Sequence, residues 1–317
     1  MRSLNASPSA GHRQPVLSAV GLSASTGRRD AVAMRDFCRR LARQAVRSLY
    51  QELTLYPKPG LVSLVDNGSH HDMNAATFMR SLFSLRHYFR LIAEAGVAAA
   101  SFTELKRLGV AAEQRMLLAT AGVNTHRGAI FSLGMLCAAM AACHAQGIAL
   151  SPPAIRAVLL LHWGEALAQH TDVVAVATDT RLSNGLQVAV QHAVGGAREE
   201  AALGFPALFE IALPHMQAAL AAGRDWEHAK IDGFFILMAH VSDTNIYHRG
   251  GAGGMAVVRG ASHRFLAAGG TGNPHWMALA LASHHEFVRL RLSPGGAADL
   301  LAACCLLQQI CQQEMAA

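Results

Sequence analysis

The sequence predicts an all-α fold, and three features predict it. Alanine, leucine and methionine, all strong helix formers, dominate the apolar residues, while aromatics make up 6%. Apolar side chains recur at the helical period, as in Phe37, Leu41, Val46, Leu49 and Leu53. Serine, asparagine and proline stand where helices would begin, and β-branched runs are scarce. The chain is 52% hydrophobic and 15% charged over 317 residues, so it can bury a large core. We expect a single large helical domain over residues 30–317. A buried central helix lies inside it, and polar, glycine-rich connections between helices meet in one cleft. Residues 1–29 carry four arginines and no acid. That composition is similar to a transit peptide, but a disordered extension is the expectation adopted.

The elements follow in order. Residues 31–55 form the first helix. Glu52 stands in its last turn, where a carboxylate opposes the helix dipole, although exposed glutamates are common there. Pro57 and Pro59 forbid a regular helix through 56–73, and this long connection holds Lys58, Asp66, His70, His71 and Asp72. Asp72 or Asn74 caps a helix to about Ala95, and Ser101 with Glu104 is a capping box for 102–120. The loop Gly122–Gly128 leads into 129–145, which is apolar nearly all round and therefore central. Asn124, Thr125, His126 and Arg127 thus stand at a helix N-terminus, a natural anion site; capping alone would explain one of them. Ser151-Pro-Pro opens a helix to about Ala168, and 226–241 forms another. The segment Asp243–Gly254 reads as a glycine-rich loop able to wrap phosphates, although it is neither a Walker A nor a Rossmann sequence. Gly270-Thr-Gly reads as a helix-ending turn before the helix 274–290. Ser293 and Pro294 open the last helix, with Asp299 in its first two turns.

A net charge of +6 favours a polyanionic partner. The arginines are dispersed, so a nucleotide or coenzyme fits better than nucleic acid. The six cysteines form no CxxC pair and read as buried thiols in a reducing cytosol. The apolar run 131–150 reads as a core helix rather than a membrane span.

Six motifs stand in order: Tyr-Pro-Lys-Pro-Gly-Leu-Val with Gly-Ser-His-His-Asp-Met, Gly-Val-Asn-Thr-His-Arg-Gly, Ser-Asn-Gly-Leu, Gly-Ala-Arg-Glu-Glu-Ala, Asp-Thr-Asn-Ile-Tyr-His-Arg-Gly-Gly and Ser-Pro-Gly-Gly-Ala-Ala-Asp-Leu. Together, over about residues 40–310, they closely resemble the triphosphoribosyl-dephospho-coenzyme A synthase family. The resemblance implies that ATP and 3′-dephospho-coenzyme A give 2′-(5″-triphosphoribosyl)-3′-dephospho-coenzyme A and adenine. The product is the precursor of a prosthetic group. In the citrate lyase branch the first motif reads Gly-Leu-Val-Asp; here Ser63 takes that place and the acid stands at Asp66. Together with Tyr56, and with Glu199 where the citrate branch has Gly, this looks like the malonate decarboxylase branch. The downstream partners implied are a phosphoribosyl-dephospho-coenzyme A transferase and an acyl carrier protein, in the cytoplasm, without nucleic acid or membrane; an oligomer is left open.

That chemistry needs a carboxylate near an oxocarbenium-like ribose, a base for the attacking hydroxyl and an acid for the leaving adenine. Glu200, Asp66 and Asp243 are the candidate catalytic residues. Lys58, Asn124, His126, Arg127, Asn184, Arg198, Asn245, Arg249, Gly250 and Gly251 are the candidate nucleotide and phosphate ligands. Asp66, Asp72 and Asp243 are the candidate ligands of a Mg2+ that accompanies ATP. Three alternatives stay open. The same reaction would serve citrate lyase, an all-α metal-dependent phosphohydrolase would release phosphate, and a helical binding module would turn nothing over.

Overall fold

The computed structural model describes residues 24–176 and 196–315. Every regular element among the described residues is helical, as expected. The chain runs through α1 (Ala24–Thr54), α2 (Ala75–Ser84), α3 (Arg86–Val97), α4 (Phe102–Ala119), α5 (Arg127–Ala145) and α6 (Pro152–Val176). It continues with α7 (Gly196–Ala202), a π-helical turn (Ala207–Ala212), α8 (Leu213–Ala221), α9 (Trp226–His240) and α10 (Thr244–Ala267). A 3-10 turn (Gly270–Gly272), α11 (Trp276–Leu290) and α12 (Gly295–Met315) complete it.

The central helix is α5, buried without interruption from Ser132 to Cys143. It packs against α3, α12, α6, α4 and α1. By length and hydropathy it is also the one described helix able to cross a membrane, yet 78% of that window lies inside the protein. Two glycines let α3 and α5 approach closely. A β-carbon at Gly96 would fall 2.2 Å from the Ala138 carbonyl oxygen, and one at Gly134 would fall 2.0 Å from Tyr88 Oη. Tyr88 Oη donates to the Ile130 carbonyl at 2.8 Å, which pins the two helices in register. The second buried helix, α12, packs on α1, α5 and α9. Cys38, Cys137, Cys143, Cys304 and Cys305 are buried thiols of this core.

Three expectations change. The helix expected over 74–95 breaks at Leu85. Ser84 turns its hydroxyl onto the Ser81 carbonyl at 2.7 Å, competing with the helix ladder. The segment 243–254 is mostly helical, with its break confined to one glycine. Asp243 caps α10, its carboxylate accepting from Asn245 N–H at 2.8 Å, and two helical stretches meet at a kink at Gly251 (φ 58°, ψ −156°). The helix follows because Gly254 is buried against Leu292 and Ile246, so packing outweighs poor glycine propensity. Last, α1 begins at Ala24, ahead of the expected domain start at residue 30, while residues 1–23 lie outside the described part.

Candidate active site

One cavity of about 1500 Å3 opens where the ends of α1, α7, α10 and α12 meet the α4–α5 hairpin and the 56–73 connection. Asp72, Asn124, His126, Arg127, Arg198, Glu200, Asp243, Asn245 and Arg249 all line it. Segments distant in the chain therefore share a single chamber.

Arg127 and Arg198 form its cationic side. Arg127 Nε donates to Glu113 Oε1 at 2.7 Å, and Asn124 Oδ1 accepts from Arg127 N–H at 3.1 Å, capping α5. Arg198 has a buried Nη1 with no partner among the described residues. Burial and the neighbouring Arg127 hold its guanidinium below the usual arginine range. Two guanidinium groups thus stand close, Arg127 paired with Glu113 and Arg198 with one N–H unanswered among the described residues.

His126 is the second unsatisfied group. Thr125 Oγ1 donates to Ser81 Oγ at 2.6 Å, and Ser81 Oγ lies 2.6 Å from His126 Nδ1. With Thr125 donating to Ser81, Nδ1 is the acceptor of that relay; Nε2 is buried without a partner among the described residues. Burial and Lys58 push the imidazole pKa down to about 3, so the ring is neutral.

The acidic side was only partly legible in the sequence. Asp243 is buried, and its Oδ2 accepts from Gly296 and Ala297 N–H at 2.7 and 3.2 Å, joining the starts of α10 and α12. Glu52, whose cost at a helix C-terminus hints at a role in the sequence, and Asp299, which helix-start structure alone could explain, also line the cavity. Glu52 is 5% exposed and forms a buried ion pair with Lys58. Asp299 is deep in the wall yet keeps some surface toward the chamber. It accepts from Ala129 N–H, and burial together with Glu52 and Asp243 pushes its pKa well above the usual carboxylate range. The signals in the sequence were a carboxylate at a helix C-terminus and an acid two turns into a buried helix. Glu200 lines the chamber, accepts from Ala207 N–H at 3.1 Å, and has its pKa raised chiefly by burial.

Other expected site residues stand elsewhere. Lys58 is 1% exposed and does not line the cavity; a buried ammonium needs a counter-charge, and it has Glu52. Asp66 also lies outside the lining, its Oδ1 accepting from Gly68 N–H and its Oδ2 standing 3.3 Å from His284 Nε2. It fastens the 56–73 connection to α11. Arg249 lines the cavity but donates to the Ser69 and Arg291 carbonyls and to His70 Nδ1. Gly250 and Gly251 lie within α10 and outside the lining, and Asn184 lies outside the described residues.

Asp66, Asp72 and Asp243 do not converge as metal ligands. Asp66 is engaged with His284, Asp72 is exposed, and Asp243 is saturated by N–H donors. Among the described residues no group of three His, Cys, Asp or Glu side chains is arranged to hold a metal ion. The donor set fits a cation carried in by phosphate oxygens and water, with at most Asp72 at hand, rather than a protein cage.

Residues 38–316 match the CitG family model, ATP:dephospho-CoA triphosphoribosyl transferase. The chain belongs to this family. It is 40% identical over 261 residues to a probable 2-(5''-triphosphoribosyl)-3'-dephosphocoenzyme-A synthase of Acinetobacter calcoaceticus, covering 82% of this chain and 86% of that one. It is 35% identical over 295 residues to the 2-(5''-triphosphoribosyl)-3'-dephosphocoenzyme-A synthase of Pectobacterium atrosepticum, covering 91% and 94%. The Klebsiella pneumoniae synthase is 37% identical over 274 residues, covering 85% and 94%. No solved structure matches the chain. The protein is accordingly a transferase, with ATP and dephospho-CoA the substrates of its family.

Proposed function

We propose that the chamber joins the ribose of ATP to the 2′-hydroxyl of 3′-dephospho-CoA, releasing adenine and keeping all three phosphates. The new bond forms between the acceptor 2′-oxygen and C1 of the ATP ribose, and the bond from C1 to adenine breaks. The Arg198 Nη1 beside Arg127, unanswered among the described residues, is the observation that supports this reading, because a polyanion would answer it. The triphosphate binds there, with the α5 N-terminus and the His126 Nε2–H as further donors. A Mg2+ bound to the triphosphate would add charge neutralisation.

Glu200 takes the proton of the attacking hydroxyl. Asp299 gives its proton to the departing adenine, and Glu52 and Asp243 supply negative potential beneath the ribose as positive charge develops. One proton enters the carboxylate of Glu200 and one leaves Asp299, so the two steps balance.

The recipient we favour is the acyl carrier protein of malonate decarboxylase, reached through a phosphoribosyl-dephospho-CoA transferase in the cytoplasm. Ser63, Asp66 and Glu199 support that branch over citrate lyase. Chromatography of a reaction containing ATP and dephospho-CoA tests the chemistry. Equal amounts of adenine and a single conjugate are expected, whereas free phosphate would favour a phosphohydrolase. Supplying the conjugate to each carrier protein with its transferase tests the recipient, since only the malonate decarboxylase system is expected to regain activity.

A further inference from the structure

The cavity does not end at its polar chamber. It continues along one face of α4, where Phe102, Leu105, Gly109 and Glu113 line it at helical spacing, opposite Ile130 and Met135 of α5. The hairpin order is fixed by two contacts. Glu113 pairs with Arg127 at the polar end, and a β-carbon at Gly109 would lie 3.9 Å from Ile130 Cγ2 further along. From Glu113 to Phe102 the groove extends about 16 Å at 1.5 Å per residue. It begins beside Arg127 and Arg198, and further along its lining is apolar except for Lys106, which is exposed.

Packing among the described residues does not require glycine at 109. Among them a β-carbon there would meet only Tyr88 Oη at 3.8 Å and Ile130 Cγ2 at 3.9 Å, both ordinary contacts. Its backbone is helical, so no left-handed conformation requires glycine. Glycine inside a helix is destabilising relative to alanine. Gly109 lines the cavity, so a larger side chain there would enter the groove.

We propose that the α4–α5 groove holds the pantetheine arm of dephospho-CoA. The arm is long, slender and uncharged, carries a gem-dimethyl group, and departs from a diphosphate. A narrow, largely apolar channel that opens into the chamber of the proposed reaction suits such an arm. This assignment rests on the reaction proposed above, and it makes Gly109 a specificity-determining residue for the acceptor.

The test compares dephospho-CoA with ADP, the same nucleotide without its pantetheine arm. Calorimetry gives the Kd of each, and of ATP, for the full chain and for Gly109→Leu, with adenine release followed in parallel. Val110→Trp, at an exposed position on the groove's lip, serves if Gly109→Leu does not fold. The variant is expected to weaken dephospho-CoA at least tenfold and to leave ADP and ATP within about threefold. Equal weakening of ADP, weakening of ATP instead, or no change in dephospho-CoA would overturn the assignment. If the parent binds dephospho-CoA through position 109 but releases no adenine, the proposed reaction fails and the groove assignment stands.

Discussion

Asp299 occupies the space that a side chain on Gly128 would need: a β-carbon at position 128 would lie 2.1 Å from Asp299 Oδ2. The start of α5 and the second turn of α12 are thus fitted together through a bare α-carbon and a carboxyl group. The same carboxyl accepts the next backbone N–H, that of Ala129. Gly128→Ala should therefore fold but drive Asp299 from its place. We expect kcat to drop at least tenfold with a thermal midpoint only a few degrees lower. Turnover compared with the melting curve checks this, and an unaltered kcat would detach Asp299 from the chemistry.

Asp299 holds its proton more tightly in the folded chain than in the unfolded one. The stabilising contribution is therefore complete below about pH 4 and lost as the pH climbs through the raised folded value. Asp299→Asn should flatten that decline and be the more stable protein in mild alkali. It should also lose roughly 100-fold in kcat, the range of a missing general acid. Urea melts from pH 5 to 9 beside pH–rate profiles separate the two effects.

His126 and His70 behave oppositely. Burial, with Lys58 near the first and Arg249 near the second, pushes their pKa values down to about 3 and about 4. Both are neutral when folded and take up protons on unfolding in acid. Their stabilising contribution is present above about pH 6.5 and is lost as the pH falls through the folded values. The slope is up to about 1.4 kcal/mol per pH unit for each ring. Denaturant melts at pH 7 and 4.5 should show the loss, and His126→Gln should remove part of it.

Arg198→Ala should move binding and stability in opposite directions. It removes a buried donor that has no partner among the described residues, so stability should hold or rise. It also removes the charged hydrogen bond proposed to the triphosphate, so ATP affinity should fall about 10- to 100-fold. Lysine should not restore it, lacking the planar fork. Calorimetric titration with ATP, repeated at higher salt, reads the effect.

Most helices were legible because apolar periodicity and capping residues agree. Asn74 accepts from Thr77 N–H, Ser101 accepts from Glu104 N–H, and α5 is buried as its all-round apolarity implied. The glycine-rich start of α10 was half legible: Asp243 capping and packing against Leu292 impose helix on most of it, and the break that glycine content signals is confined to the kink at Gly251. The site was legible as a set of motifs but not as partnerships. Nothing local in Asp66 announces His284, and nothing local in Lys58 announces that its charge is taken by Glu52. Asp299 escaped notice because capping explained its position, while its significance lies in contacts with Gly128, Glu52 and Asp243 from three other segments.

A single double-label experiment reaches the central claim, that this chamber transfers an intact triphosphoribosyl group. ATP labelled in the adenine ring and, with a second isotope, in the γ-phosphate is incubated with the protein and dephospho-CoA. The account predicts ring label in free adenine and γ label in the dephospho-CoA conjugate, in equal amounts. Gamma label recovered as free phosphate, with the ring still joined to ribose, would contradict it.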